Sequence, residues 1–323
     1  MDRNLTLNLV RVTEAAALAS ARHLGRGDKN LADQAAVNGM RKMFDTLTID
    51  GVVVIGEGEM DEAPMLYIGE QIGKATPGCV KVDIAVDPLD GTTAVAQGRA
   101  NAISVVAVAP RGCLLHAPDM YMNKIAVGPK VKGKVNLDMP VKEIIKVTAE
   151  ALNKSVSDIT VTMLDRPRHE RLIKEVREAG ARIKLFRDGD VAAAIATCFE
   201  NSGVDILLGI GGAPEGVLAA AAIKCLGGDF QGRLHPSNDE EVERCKKMGI
   251  EDIDKIFTLD DLVKGNEVMF AATGVTDGEL LKGVVYYENN RAKTYSVVMR
   301  SETGTVRFIE SIHRLDKKPD YAK

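Results

Sequence analysis

Residues 80–93 read VKVDIAVDPLDGTT. The run Val82–Val86 is almost continuous in Val, Ile and Ala, the pattern of a strand buried on both faces. It ends in two carboxylates three apart, Asp87 and Asp90. Pro88 stiffens the turn between them, and Gly91 lets the backbone turn tightly into a new helix. The amides of Gly91 and Thr92 can then face an anion at that helix start. Two carboxylates beside an anion cradle make sense if divalent metal ions sit between them. Asp-Gly alone is an ordinary turn pair, and Asp an ordinary cap. The whole string after a Val/Ile strand is what points to metal plus phosphate.

Upstream, residues 56–62 (GEGEMDE) follow another strand, residues 52–55. Glu57, Glu59, Asp61 and Glu62 repel one another unless solvated or neutralised. A solvated loop is one reading. The glycines on both sides of Glu57 allow close backbone approach, which a plain acidic loop does not need. Downstream, residues 209–216 (GIGGAPEG) run from a strand into an Ala-rich helix with Pro214 and Glu215 in its first turn. Both are ordinary there, and Glu215 is also a candidate metal ligand. The dinucleotide pattern GxGxxG is absent. Arg166-Pro167-Arg168 ends a further strand and suits a second phosphate, or is surface charge. Asp188-Gly189-Asp190 follows the next strand, either as a helix cap or to bind sugar hydroxyls. Ligands in open α/β sheets lie at the carboxyl ends of strands, which favours one shared site.

Periodicity organises the rest. Helices are expected over residues 4–24, from Asp28 to about Phe44, and over 64–73; residues 103–110 read as a strand. After residue 156 strands and helices alternate, predicting a right-handed, largely parallel α/β unit. The tail after 283 reads as an antiparallel meander with turns at Asn289-Asn290 and Thr303-Gly304. The expected division is residues 1–156, an α+β metal-binding domain, and 157–323, an α/β substrate domain. The meander is left open between joining the second domain and returning to the first.

The chain has 323 residues, 45% of them hydrophobic, with a formal net charge of −4. That composition excludes intrinsic disorder. A sequence pI near 5.8 with 4% aromatic residues argues against a nucleic-acid partner. No apolar run approaches the roughly 20 residues of a membrane span, and the first residues lack a signal-peptide stretch. A cytoplasmic protein without membrane association is expected. Five widely spaced cysteines without a CxxC read as reduced thiols. The near-neutral total is an average. Residues 50–90 carry nine acids and two bases, and residues 163–187 carry eight Lys/Arg and four acids. The first segment suits cations and the second suits phosphate.

DPLDGT, with GEGE upstream and an acid at a helix start downstream, resembles the lithium-sensitive, metal-dependent phosphatase superfamily. The strings GRGDKN, VIGEGEMDEAPMLYIGE, HAPDMYMNK, DGDVAA, GIGGAPEG and SIHRLD resemble class II (GlpX-type) fructose-1,6-bisphosphatases, from Arg11 to Asp316. The resemblance implies a two-domain layered α/β sandwich of the sugar-phosphatase type. It implies Mn²⁺ or Mg²⁺, with Asp33 and Glu57 as ligands of one ion and Asp87, Asp90 and Glu215 of another; the Leu89 carbonyl is a further ligand by analogy. It assigns substrate contacts to Asp90, Gly91, Thr92, Tyr121, Arg166, Pro167, Arg168, Asp188, Gly189, Asp190 and Gly212. Some members carry Glu at the position of Asp90 and Lys at that of Arg166, both keeping the charge.

The expected reaction is hydrolysis of the 1-phosphate of fructose 1,6-bisphosphate by a metal-activated water. Thr92, with Asp33 or Glu57, would orient the water. Asp61 would assist proton transfer and Lys29 would help neutralise phosphate charge. Arg166 and Arg168 would hold the 6-phosphate. Sedoheptulose 1,7-bisphosphate is the nearest alternative substrate. An inositol-phosphate or nucleotide phosphatase has no clear use for the arginine pair. A phosphosugar-binding protein without catalysis would usually lack a ligand, and all five are present. A homo-oligomer is expected.

Overall fold

The computed structural model describes residues 1–58 and 63–322. Residues 1–114 supply α1 (Arg3–Ala21), α2 (Lys29–Phe44), β1 (Ile49–Ile55), β2 (Gln71–Ile72), β3 (Val80–Asp90), α3 (Thr92–Gln97) and β4 (Ile103–Pro110). Residues 115–264 supply β5 (Tyr121–Val127), α4 (Val141–Leu152), β6 (Thr160–Leu164), α5 (Glu170–Glu178), β7 (Arg182–Phe186), α6 (Asp190–Ala196), β8 (Ile206–Gly212), α7 (Ala213–Leu226), β9 (Asp229–His235), α8 (Asp239–Lys247) and α9 (Leu259–Leu262). Four strands follow: β10 (Met269–Gly274), β11 (Val285–Tyr287), β12 (Arg291–Arg300) and β13 (Thr305–Arg314). Two sheets with packed helices make the mixed α/β architecture. No helix among the described residues is long and apolar enough to cross a membrane.

The chain divides into two compact units, residues 1–114 with 265–323, and residues 115–264. These limits differ from a division near 156. β5 pairs with β8 and β9, which draws residues 115–156 into the second unit. β10 pairs with β4, which returns the tail to the first. Periodicity shows that a strand exists and not which sheet it joins.

In the first unit the sheet runs β11-β12-β10-β4-β3-β1-β2, with β13 along the other edge of β12. Among the described residues its one parallel pair is β1 with β3. α1 and α2 pack together over Leu5, Leu9, Val12, Ala16, Met40 and Phe44, against Val82, Ile84 and Val86 of β3. A Cβ at Gly39 would lie 2.7 Å from the Ala15 carbonyl, so a glycine sets how closely the helices approach. Asn289 and Asn290 take φ of +60° and +54° in the turn between β11 and β12, the left-handed geometry a tight hairpin needs. Residues 64–73 are not helical. Pro64, Gly69 and Gly73 interrupt them, and Gln71–Ile72 pair with β1 instead.

In the second unit the order is β7-β6-β8-β5-β9. β7, β6 and β8 are mutually parallel, whereas β5 runs antiparallel to both β8 and β9. The strands β6, β7 and β8 after residue 156 are parallel as the alternation predicts, and the sheet as a whole is mixed because β5, from before residue 156, inserts antiparallel between β8 and β9. α4 and α5 cover one face over Ile144, Ile145, Val176, Val161 and Ile206. α6 and α7 pack on each other and on the sheet.

Candidate active site

In the first unit the candidate residues begin at β3. Its pairing with β4 shifts between Asp87, opposite Val105, and Asp90, opposite Ile103. Three residues on β3 thus match two on β4, which is a β-bulge across Pro88-Leu89. A bulge tolerates proline because the ladder needs no donor there. Residues three apart on a regular strand face opposite sides. Val105 and Ile103, two apart, face the same side, so the bulge turns Asp87 and Asp90 to one face. Leu89 confirms the change of parity by joining Val82, Ile84 and Val86 in the core under α1 and α2. The expected turn at Pro88 is therefore a bulge inside the strand. Asp87 Oδ1 accepts from Leu89 N at 3.1 Å, bracing it. Gly91 follows at φ +103°, and Thr92 opens α3, half-buried.

Glu57 follows β1, at the same edge as the end of β3 because the two strands are parallel neighbours. Its N–H donates to the Leu66 carbonyl at 3.0 Å. A Cβ at Gly56 would lie 1.9 Å from that oxygen, so the glycine is required for the approach. Leu66 N donates to Glu70, whose Oε1 accepts from Arg41 Nε of α2 at 2.6 Å. α2 also carries Asp33, whose carboxyl hydrogen-bonds that of Glu57. One helix thereby holds Glu57 at both its backbone and its side chain. Burial, then the charge of Asp33, pushes Glu57 up to about 8, and burial likewise raises Asp33. Two carboxyls this close share a proton or a cation. Lys29 opens α2 and is exposed. Asp61 lies outside the described residues.

In the second unit, Arg166, Asp188 and Gly212 stand at the carboxyl ends of the parallel strands β6, β7 and β8. Tyr121 begins the antiparallel β5 directly opposite Gly212. The four therefore share one edge of the sheet. Arg166 Nη2 donates to Asp188 Oδ1 at 3.1 Å. The Arg168 guanidinium lies 4.5 Å from the centre of the Tyr121 ring, a cation–π contact. Pro167 starts the short 3-10 turn that presents both arginines.

The glycines of GIGGAPEG make room for side chains. A Cβ at Gly211 would meet Asp190 Oδ2 at 2.1 Å, and one at Gly212 would meet Glu215 Oε2 at 1.8 Å. Asp190, at the start of α6 after Gly189, accepts from Lys124 Nζ at 2.7 Å. Burial, then the charge of Asp190, raises the Glu215 carboxyl, and Lys124 opposes this. Glu215 sits in the first turn of α7, as its sequence suggests.

Sequence reasoning missed Lys124. The signal was a lysine in the apolar run of β5, sharing its face with the buried Met122 and Ala126. It also missed His169, buried behind Arg168, for which no sequence pattern gives a sign.

Among the described residues, no three or more His, Cys, Asp or Glu side chains gather in a group that could hold a metal ion. The donor set still fits a hard divalent cation. It offers oxygens only, and the Asp33–Glu57 pair would repel as two anions without a positive charge between them.

The family model for bacterial fructose-1,6-bisphosphatase, glpX-encoded, matches residues 3–313. The chain is 49% identical to fructose-1,6-bisphosphatase 1 class 2 of Escherichia coli K12, over 98% of this chain and 97% of that protein. The class 2 enzyme of Shigella flexneri matches with the same identity and coverage. The class of protein these matches define is a phosphoester hydrolase. The chain belongs to the GlpX-type family of bacterial fructose-1,6-bisphosphatases.

Proposed function

We propose that the protein hydrolyses the 1-phosphate of fructose 1,6-bisphosphate, giving fructose 6-phosphate and phosphate in gluconeogenesis. The observation that carries this reading is the shared face of Asp87 and Asp90 beside the edge that holds the Asp33–Glu57 pair. We assign Asp33, Glu57, Asp87 and Asp90, with Glu215, to metal ligation. A divalent cation, Mn²⁺ or Mg²⁺, supplies charge neutralisation at the phosphoryl group and a more acidic attacking water. Thr92 orients that water through its hydroxyl, and the Gly91 and Thr92 amides face the phosphoryl oxygens. Lys29 adds positive charge near the phosphate, and Asp61 assists the proton transfer. Arg166 and Arg168 hold the 6-phosphate, and their remote binding energy positions the reacting end. Asp188, Gly189 and Asp190 face the sugar hydroxyls, with Tyr121 and Gly212 along the same edge. The chain works in the cytoplasm as a homo-oligomer.

Phosphate release across a panel of sugar phosphates, with Mg²⁺ and Mn²⁺ in turn, tests the reading. Fructose 1,6-bisphosphate should show the highest kcat/KM. A higher value for sedoheptulose 1,7-bisphosphate would reassign the substrate, and activity confined to monophosphates would remove the distal-phosphate role.

A further inference from the structure

We propose that His169 is the positioning residue of the distal-phosphate arm, tying the Arg166–Arg168 loop to strand β6 through Nδ1 and to strand β8 through Nε2. The inference rests on the reading that these arginines hold the 6-phosphate.

His169 is 1% exposed. Its Nδ1 lies 2.7 Å from the Leu164 carbonyl, which can only accept, so Nδ1 carries the proton. Its Nε2 lies 2.8 Å from Ile210 N, which can only donate, so Nε2 is bare. Both partners are backbone groups, and one tautomer alone satisfies them. Arg168, the next residue back, donates through Nε and Nη2 to the Ile210 carbonyl at 3.1 and 2.9 Å. One residue of β8 is thus gripped at its N–H by His169 and at its C=O by Arg168. Gly209 takes φ +139°, and a Cβ there would lie 2.9 Å from Nε2. The strand therefore carries a glycine where the imidazole must reach it.

An apolar residue would fill this volume at lower desolvation cost. What the imidazole adds is registry. It fixes where the guanidinium of Arg168 stands relative to Tyr121 and the end of β8. Burial is the main influence holding the ring below the ordinary histidine range. Arg168 and Arg166 push the same way, and the Leu164 carbonyl opposes them. Protonation would place a second N–H at Nε2 against the Ile210 N–H, and the loop would have to leave the strand.

The experiment compares fructose 1,6-bisphosphate with fructose 1-phosphate, which lacks the distal group. It uses the wild type, Arg168→Ala, His169→Phe and His169→Gln. His169→Phe should raise KM for the bisphosphate about tenfold, the effect of losing one buried hydrogen-bonded contact, leaving the monophosphate kcat and KM unchanged. His169→Gln, which keeps an acceptor, should recover part of the loss. In the wild type ¹⁵N spectra should show His169 as the Nδ1–H tautomer. Equal effects on both substrates, or an Nε2–H tautomer, would overturn the proposal. If Arg168→Ala raises KM and neither His169 variant does, the inference alone fails. If Arg168→Ala changes nothing, the 6-phosphate assignment fails with it. Should the Phe variant not fold, the wild-type ¹⁵N tautomer and the Gln variant carry the same decision.

Discussion

Lys124 Nζ lies 2.7 Å from Asp190 Oδ2, and both side chains are buried. β5 delivers the ammonium and the first turn of α6 delivers the carboxylate, and Gly211 leaves the space between them. The same ammonium favours the charged form of Glu215, which burial and Asp190 disfavour. One cation thus offsets two carboxylates. Lys124→Met should cost about 3–5 kcal/mol, the usual effect of stripping a buried charge of its partner. Urea unfolding of the variant checks this, and the double change Lys124→Met/Asp190→Leu should recover much of it. A single-variant loss below about 1 kcal/mol, the range of surface pairs, would contradict the burial argument.

The Asp33–Glu57 pair makes stability depend on pH when metal is withheld. Glu57 ordinarily titrates at 4.5 and is raised to about 8 in the fold. The folded state therefore holds a proton that the unfolded chain has lost. This contribution is fully present below 4.5 and disappears as pH rises through about 8. Thermal unfolding in chelator should show Tm falling across that window, and Glu57→Gln should flatten the fall. A level wild-type profile would mean that the two carboxyls do not share a proton.

Asp87→Ala should lower kcat by roughly two orders of magnitude or more, because it removes a ligand to the activating ion. Its stability should change by about 1 kcal/mol, the size of a lost hydrogen bond such as that from Leu89 N. Turnover and urea unfolding measured on one preparation separate the two. Turnover near that of the wild type would exclude Asp87 from the metal site.

Gly212→Ala places a methyl where Glu215 Oε2 now lies, 1.8 Å from the ideal Cβ position. The backbone at Gly212 is extended and tolerates alanine, so the strain falls on the Glu215 carboxylate. The variant should need more Mn²⁺ for half-maximal activity and should keep its unfolding temperature. An unchanged metal titration would show that Glu215 is not a ligand.

The elements that local pattern controls were legible in advance. α1 and α2, β3 and β4, and the alternation from β6 to α7 follow from hydrophobic periodicity, and the β11–β12 turn follows from Asn289-Asn290. The motifs at strand ends were legible too, since Gly, Pro and acid spacings are local. Residues 64–73 misled because their apolar content suits a helix, while the pairing of Ile72 with Gly51 is set by a distant strand.

The residue types of the site, its acidic and basic segments and its family are properties of the amino-acid order alone, because they depend on side-chain chemistry and short-range spacing. Which carboxylates share a face is not. Asp87 and Asp90 would point apart on a regular strand, and they align only because the register with β4 slips by one residue. Lys124 and His169 likewise act across strands, through contacts to Asp190 and Ile210 far along the chain. Register and burial are set by cooperative packing of distant segments, and no local window contains them.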